Sequence, residues 1–425
     1  MPRPLLASAL LPVALLTAAL ALFTFRPAPE RSEAANATPR NVILFICDGM
    51  GPQQVGLLFD WATAAHREPT ALEGFFQDGT LGVIRTGAAD SPLTDSAASA
   101  TAMACGVATN NGMIAQTPDG HPLPTALEDA LANGRRAGLV TTARVTHATP
   151  ACFAAHIDNR DKEEEIAKQL VDCKAEVILG GGARYFTSER QNLTQPLAAA
   201  GWTLARSLEE LRATRSDQRV LGLFHPSHLL YAIDRDAPDE PQGPTLAELT
   251  GEALRLLDTG EQGYFLMVEA GRIDHAGHAN DVAALLGELR EFDEALKLVL
   301  EYQRTHPDTL VVLTADHETG GLCMTYGING TLQDADFLAM TEVACSTEVG
   351  IETGAVRLGP TDPEPLGVGR QLFHSPAYRA ANYAGLERSS QWKASFGSGN
   401  HSTTPVYILA RGPGGEIFAG LHHNT

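Results

Sequence analysis

Beyond residue 40 the chain alternates between short unbroken apolar runs and longer stretches in which apolar residues recur every three or four positions. The short runs lie at 41–47, 80–85, 138–142, 176–179, 219–223, 264–268, 309–314 and 405–410. None shows the strict alternation of a strand with one face in water, so each reads as a strand covered on both faces. The amphipathic stretches Leu123–Ala137, Glu163–Cys173, Leu246–Leu257 and Val282–Arg304 read as helices between them. Strands alternating with helices predict an α/β fold: a central, largely parallel, multi-stranded sheet flanked by helices on both faces. The pattern breaks at 324–398, which is rich in Gly, Pro, Thr and Ser and weakly periodic. It reads as a loop-rich subdomain inserted into one domain spanning 38–425. Gly180-Gly181-Gly182 reads as a plain turn, since a phosphate loop would need a Lys at the right spacing.

The first 37 residues are of another kind. Met1-Pro-Arg-Pro is a short cationic start, Leu5–Phe25 is apolar, and Ala35-Asn36-Ala37 fits a small-residue cleavage site. This predicts a secretory signal, removed near residue 37, and a periplasmic or extracellular protein. A run of this length is also long enough for an uncleaved anchor. Export permits disulfides, and Cys323 and Cys345 are the pair singled out; Cys47, inside the 41–47 run, reads as a buried thiol. Asn36, Asn192, Asn329 and Asn400 begin N-x-S/T sequons.

With 51 Asp and Glu against 31 Lys and Arg, the formal net charge is −20. That argues against nucleic acid or an anionic membrane as partner. An anionic substrate would need a local positive focus, which bound metal ions supply.

Metal-competent residues collect just after the apolar runs, and ligands of parallel sheets gather at the carboxyl ends of strands. Asp48 follows 41–47, Glu269 follows 264–268, Asp316 and His317 follow 309–314, and His147 and Thr149 come shortly after 138–142. In VEAGRIDHAGHAND (268–281), Asp274 and His278 stand four residues apart and can converge on one ion. Two such clusters and a lone Asp48 point to two metals in one pocket. The stretch TDSAASATA (94–102) reads as a capped helix start whose N–H groups and small side chains suit an incoming anion. Ser96 there is the candidate nucleophile. No GxSxG or Ser-His-Asp spacing is present, which leaves activation by metal.

DSAASATA at 95–102, with CDGMG at 47–51, VEAGRIDHAGH at 268–278, TADHETGG at 314–321 and NHS at 400–402, resembles the alkaline phosphatase family over nearly the whole mature chain. The resemblance implies that Asp274, His278 and His401 hold one zinc. Asp48, Asp316 and His317 would hold a second, completed by Ser96. A magnesium would be held by Asp48, Thr149 and Glu269. Arg160, in AHIDNR, matches the arginine that grips phosphate, with Asp95 positioning it. His147 and His275 match variable positions beside the magnesium. The implied reaction is hydrolysis of phosphate monoesters through a phosphoserine on Ser96. Small-molecule monoesters are then the partners, with a homodimer as a further one, and the 324–398 insertion resembles the family's crown-like excursion. Two other readings share the scaffold: a phosphodiesterase or sulfatase of the same superfamily, and a non-catalytic secreted protein that binds metal or phosphate.

Overall fold

In the computed structural model, residues 38–235, 243–326 and 392–425 are described. The eight expected strands are all present: β1 (Asn41–Ile46), β2 (Thr80–Arg85), β3 (Arg136–Arg144), β4 (Val177–Gly181), β6 (Arg219–Leu223), β7 (Tyr264–Glu269), β8 (Thr309–Thr314) and β13 (Val406–Arg411). Two short strands, β5 (Trp202–Ala205) and β14 (Gly420–His423), join them. The ten form one sheet in the order β14-β2-β13-β8-β1-β7-β3-β4-β6-β5. Only β13 runs antiparallel to its two neighbours, β2 and β8. Four further strands lie outside it: β9 (Glu318–Thr319), β10 (Leu322–Tyr326), β11 (Trp392–Phe396) and β12 (His401–Ser402).

Side chains alternate across a strand, and β7 shows what that builds. Tyr264, Leu266 and Val268 enter one apolar cluster, with the helices Pro52–Ala64, Leu246–Leu257 and Val282–Thr305. Phe265 and Met267 enter the other, with the helices Ser96–Cys105, Ala148–Ala154 and Glu163–Asp172. Every residue of β7 and β8 is therefore buried, which is why the runs carry no polar alternation. Burying one Leu or Phe side chain contributes roughly 1.5–3 kcal/mol, so the two layers fix the central strands firmly.

The expected helix at 123–137 is shorter than its periodicity suggested. It runs Ala126–Ala132, started by a reciprocal capping box between Thr125 and Glu128. Gly134, at φ +74°, ends it, and Arg136 and Ala137 pair with Tyr264 and Phe265 in the sheet. Of the three glycines at 180–182, two belong to β4 and Gly182 alone makes the turn, at φ +98°. A Cβ on Gly181 would stand 2.0 Å from the Ser227 carbonyl oxygen, so the close approach needs glycine.

The expected signal segment 1–37 lies outside the described residues, as do Cys345 and most of the expected insertion. The insertion's base is described: β10 and β11 pair antiparallel from Leu322↔Phe396 to Tyr326↔Trp392. Cys323 is a free, exposed thiol among the described residues, and Cys47 is fully buried. No described helix is long and apolar enough to cross a membrane.

Candidate active site

Because β1, β3, β7 and β8 are mutually parallel neighbours, their carboxyl ends lie along one edge of the sheet. Asp48 follows β1, Glu269 ends β7, and Asp316 and His317 follow β8; all four are completely buried. Two other elements reach the same edge. The segment after β7 is helical over Arg272–Ala279, which puts Asp274 and His278 on one face. The two-residue ladder of β9 and β12 sets His401 opposite Thr319.

Three ligand sets result, each with its candidate atoms within 4.8 Å of one another: Asp274, His278 and His401; Asp48, Asp316 and His317; and Asp48, His147 and Glu269. Asp48 is common to two. The first two sets are the groupings expected from the chain's motifs. Thr149 lies in the Ala148–Ala154 helix, beside Glu269. The third set brings in His147 as well, which the expected magnesium ligands did not include.

The hydrogen bonds around these sets dictate which imidazole nitrogen carries the proton. His278 Nδ1 meets the Gly399 carbonyl oxygen at 2.7 Å, and His401 Nδ1 meets that of Thr94 at 2.9 Å. A carbonyl can only accept, so both protons sit on Nδ1. The two Nε2 lone pairs then face each other at 3.2 Å. Asp274 Oδ1 lies 3.4 Å from one and 3.6 Å from the other. Two lone pairs and a carboxylate oxygen turned towards one point repel unless a cation stands there.

The second set has the same logic. The Thr319 hydroxyl donates to Asp274 Oδ1 at 2.5 Å, so it accepts from His317 Nδ1 at 3.2 Å. His317 Nε2 is thereby left with a lone pair, 3.2 Å from Asp316 Oδ2 and 3.7 Å from Asp48 Oδ1. Both oxygens of Asp48, Oδ2 of Asp316 and Oε1 of Glu269 are buried and accept no hydrogen bond. Unpaired buried carboxylate oxygens are costly, and a metal ion is the usual remedy. Burial, reinforced by Asp316, Asp274 and Glu269, holds Asp48 well above the ordinary carboxylate range. Burial pushes Glu269 up to about 7 against the pull of the Thr141 and Thr149 hydroxyls. His317, His147 and His275 are all lowered, chiefly by burial, which keeps them in the neutral, metal-binding form.

Ser96 is the first residue of the Ser96–Cys105 helix, behind Asp95 as N-cap. Its hydroxyl lies 3.3 Å from His317 Nε2, at the mouth of the second set. The helix is anchored from below: Ser99 Oγ donates to the Asp316 carbonyl at 2.8 Å, tying the Ser96–Cys105 helix to the loop after β8. Asp95 Oδ1 accepts from Ala98 N at 2.9 Å, and Oδ2 accepts from Arg160 Nη1 at 3.0 Å. The other arm of the guanidinium, Nη2, donates to His147 Nε2 at 3.1 Å. Arg160 is thus held between Asp95, the N-cap before Ser96, and His147 of the third ligand set.

His147 and His275 come together, ring centres 5.4 Å apart, but a third imidazole lies between the expected pair and Arg144. His228 stands 4.2 Å from His275 and 5.4 Å from His147, and its Nε2 meets Arg144 Nη1. Thr141, which donates to Glu269 Oε2, and Thr319, which bridges two sets, also belong to the site. Glu318 is a fourth such residue: a buried carboxylate that accepts from Gln54 Nε2 at 2.8 Å, Gly321 N at 2.9 Å and the Ser402 hydroxyl. It closes the β9–β12 ladder that carries His401.

Comparison with known proteins identifies the family. The family model for alkaline phosphatase matches residues 39–425. Alkaline phosphatase 4 of Bacillus subtilis (strain 168) is 31% identical over 447 residues, covering 98% of this chain and 95% of its own. The crystal structure of Thermus thermophilus alkaline phosphatase superposes with a TM-score of 0.75 at 30% identity, over 94% of this chain and 93% of that one. A variant of TAB5 alkaline phosphatase, solved with Mg bound in its M3 site, gives a TM-score of 0.69 at 26% identity, over 92% and 95% of the two chains.

Proposed function

The chain belongs to the alkaline phosphatase family, and from that premise we propose that it hydrolyses phosphate monoesters through a phosphoserine formed on Ser96, at a site of two zinc ions and one magnesium ion. The observation that carries the reading is Ser96 Oγ at 3.3 Å from an imidazole nitrogen whose proton is fixed on the other side. That places the hydroxyl beside a ligand set with nothing else to bind.

The donor sets fit the metals. Two histidines and a carboxylate, with room for a further ligand, suit zinc at Asp274, His278 and His401. Asp48, Asp316 and His317, with Ser96 as the fourth ligand, suit a second zinc. Asp48, Glu269 and the Thr149 hydroxyl offer the oxygens magnesium prefers. When bound, such ions lower the pKa of a coordinated hydroxyl or water and neutralise charge on the entering and leaving oxygens.

Each remaining role falls to the chain itself. Ser96 Oγ attacks phosphorus in line and gives up its proton as the ester P–O bond breaks, and the ester oxygen takes up a proton and leaves as the alcohol. The N-terminus of the Ser96–Cys105 helix faces the phosphoryl oxygens with its positive end. Arg160 offers a planar fork for two of those oxygens and is aimed by Asp95. Water then attacks the phosphoserine and restores the hydroxyl. His147 and His275, both held neutral, stand beside the third set, where His147 meets Arg160 Nη2 and His275 meets Arg272 Nη1.

We further propose that residues 38–425 form the mature catalytic domain, with 1–37 a signal that exports it and 324–398 an inserted, loop-rich subdomain. The test is an assay of the metal-loaded protein on p-nitrophenyl phosphate from pH 7 to 10.5, with the bis ester and a chelator as control arms. Rapid monoester turnover, lost to the chelator, with a rapid-quench phosphoenzyme absent from Ser96→Ala, is the expected result. Turnover of the bis ester alone would replace it with a diesterase.

A further inference from the structure

The turn at 109–113 takes no part in the ligand sets, yet it touches both ends of the phosphate grip. Asn111 Oδ1 accepts from the Asp95 backbone N–H at 2.7 Å, and Asn111 Nδ2 donates to the Leu93 carbonyl at 3.0 Å. Its own N–H is taken by Asp90 Oδ1 at 3.0 Å. The next residue, Gly112, donates its N–H to Asp95 Oδ2 at 3.1 Å and accepts from the Arg160 N–H at 2.8 Å. Gly112 sits at φ +82°, a conformation that side-chain-bearing residues rarely adopt, and it lets one residue face Asp95 with its N–H and Arg160 with its carbonyl.

We propose that Asn111, acting through Gly112, is a positioning residue that sets the Asp95–Arg160 couple and hence the grip on phosphate. The inference rests on the reading of Arg160 as that grip. The carboxamide accepts from Asp95 and donates to Leu93 at once, which neither alanine nor a carboxylate can do. Without it the loop is no longer pinned on either side of the Asp95 amide. Gly112 then loses its register against Asp95 Oδ2, the same oxygen that orients Arg160 Nη1. Asn111 is exposed and outside both apolar clusters, so its loss leaves the fold intact.

The experiment uses the full chain loaded with zinc and magnesium, as Asn111→Ala and Asn111→Asp, each alone and combined with Arg160→Ala. The readouts are the inhibition constant for inorganic phosphate, KM and kcat for p-nitrophenyl phosphate, and bound metal. Both single variants should weaken phosphate and raise KM by about three- to tenfold, the worth of one or two hydrogen bonds. Metal content and kcat should hold, or kcat should rise if phosphate release limits turnover. On the Arg160→Ala background the Asn111 changes should add nothing, because the residue they act through is gone. An equal loss on that background, or a fall in kcat with phosphate affinity unchanged, would overturn the inference. Arg160→Ala that binds phosphate as tightly as the parent would instead sink the reading of Arg160 itself, and that outcome is visible without any Asn111 variant.

Discussion

His278 and His401 lie 123 residues apart in the chain, yet their Nε2 atoms face each other at 3.2 Å, each ring held by a backbone carbonyl on its far nitrogen. The pair is pre-set for a cation by two hydrogen bonds that involve no other side chain.

Metal removal should therefore cost stability as well as activity. An ion present at a hundred times its dissociation constant stabilises the folded state by about 2.7 kcal/mol. Dialysis against a chelator should lower Tm by several degrees, and zinc should restore it. His401→Ala should bind about one zinc fewer by elemental analysis and lose at least a hundredfold in kcat/KM. Unchanged zinc content in that variant would remove His401 from the first set.

The contribution of Glu269 to the pH dependence of the metal-free protein has a definite sign. Glu269 is raised from 4.5 to about 7 by burial, so the folded chain binds more protons there than the unfolded chain between those values. Stability then falls as pH rises through this window and levels off above it. The raised pKa of Asp48 acts in the same direction. The loss attributable to Glu269 is on the order of 2–3 kcal/mol. The lowered His317, His147 and His275 act the other way, so the Glu269 share is read by difference: the Tm of the metal-free parent minus that of metal-free Glu269→Gln should fall between pH 5 and pH 8. A difference that rises over the same range would contradict a Glu269 that is raised by burial.

Thr319→Val should loosen zinc without disturbing the fold. The hydroxyl donates to Asp274 Oδ1 and accepts from His317 Nδ1, one ligand from each of two sets. Valine keeps the shape and removes both bonds, freeing the His317 tautomer. Losses from such supporting partners are about 10- to 100-fold in metal affinity. Competition against a chromophoric chelator measures this directly, and an affinity within twofold of the parent would show that the bridge is idle.

What the sequence made legible follows from where the ligands sit. Asp48, Glu269, Asp316 and His317 each come within three residues of the end of a fully apolar run, so the strand that buries them also announces them. Asp274 and His278 are visible through their helical spacing. Thr319, His228 and Asn111 were not legible, because each acts through a partner brought close only by folding: Asp274, Arg144 and Asp95. Thr141 lay inside an apolar run that read as strand and nothing more. The edge strands β5 and β14 are only four residues long, too short to stand out from their loops. The overlong helix at 123–137 came from an apolar pattern that continued past Gly134 into a strand.

Gly51→Ala tests how tightly the ligand ladder is packed from behind. Gly51 has an ordinary backbone, φ −87° and ψ −177°, so any effect must come from the added methyl group. That Cβ would stand 2.2 Å from Glu318 Cγ and 2.7 Å from Glu318 Cβ. Glu318 cannot retreat freely, since Gln54, Gly321 and Ser402 all donate to its carboxylate. Ser402 follows His401 on β12, and Glu318 follows His317 into β9, so a displaced Glu318 shifts residues of both proposed zinc sets together. Overpacking of this kind costs about 1–3 kcal/mol. The expected result is a lower Tm together with faster zinc loss to a chelator, and Glu318→Gln in the parent should keep most of the zinc because an amide preserves the acceptor for Gln54 and Gly321. A Gly51→Ala protein that melts lower but holds zinc as firmly as the parent would show that the ladder flexes independently of the ligands it carries.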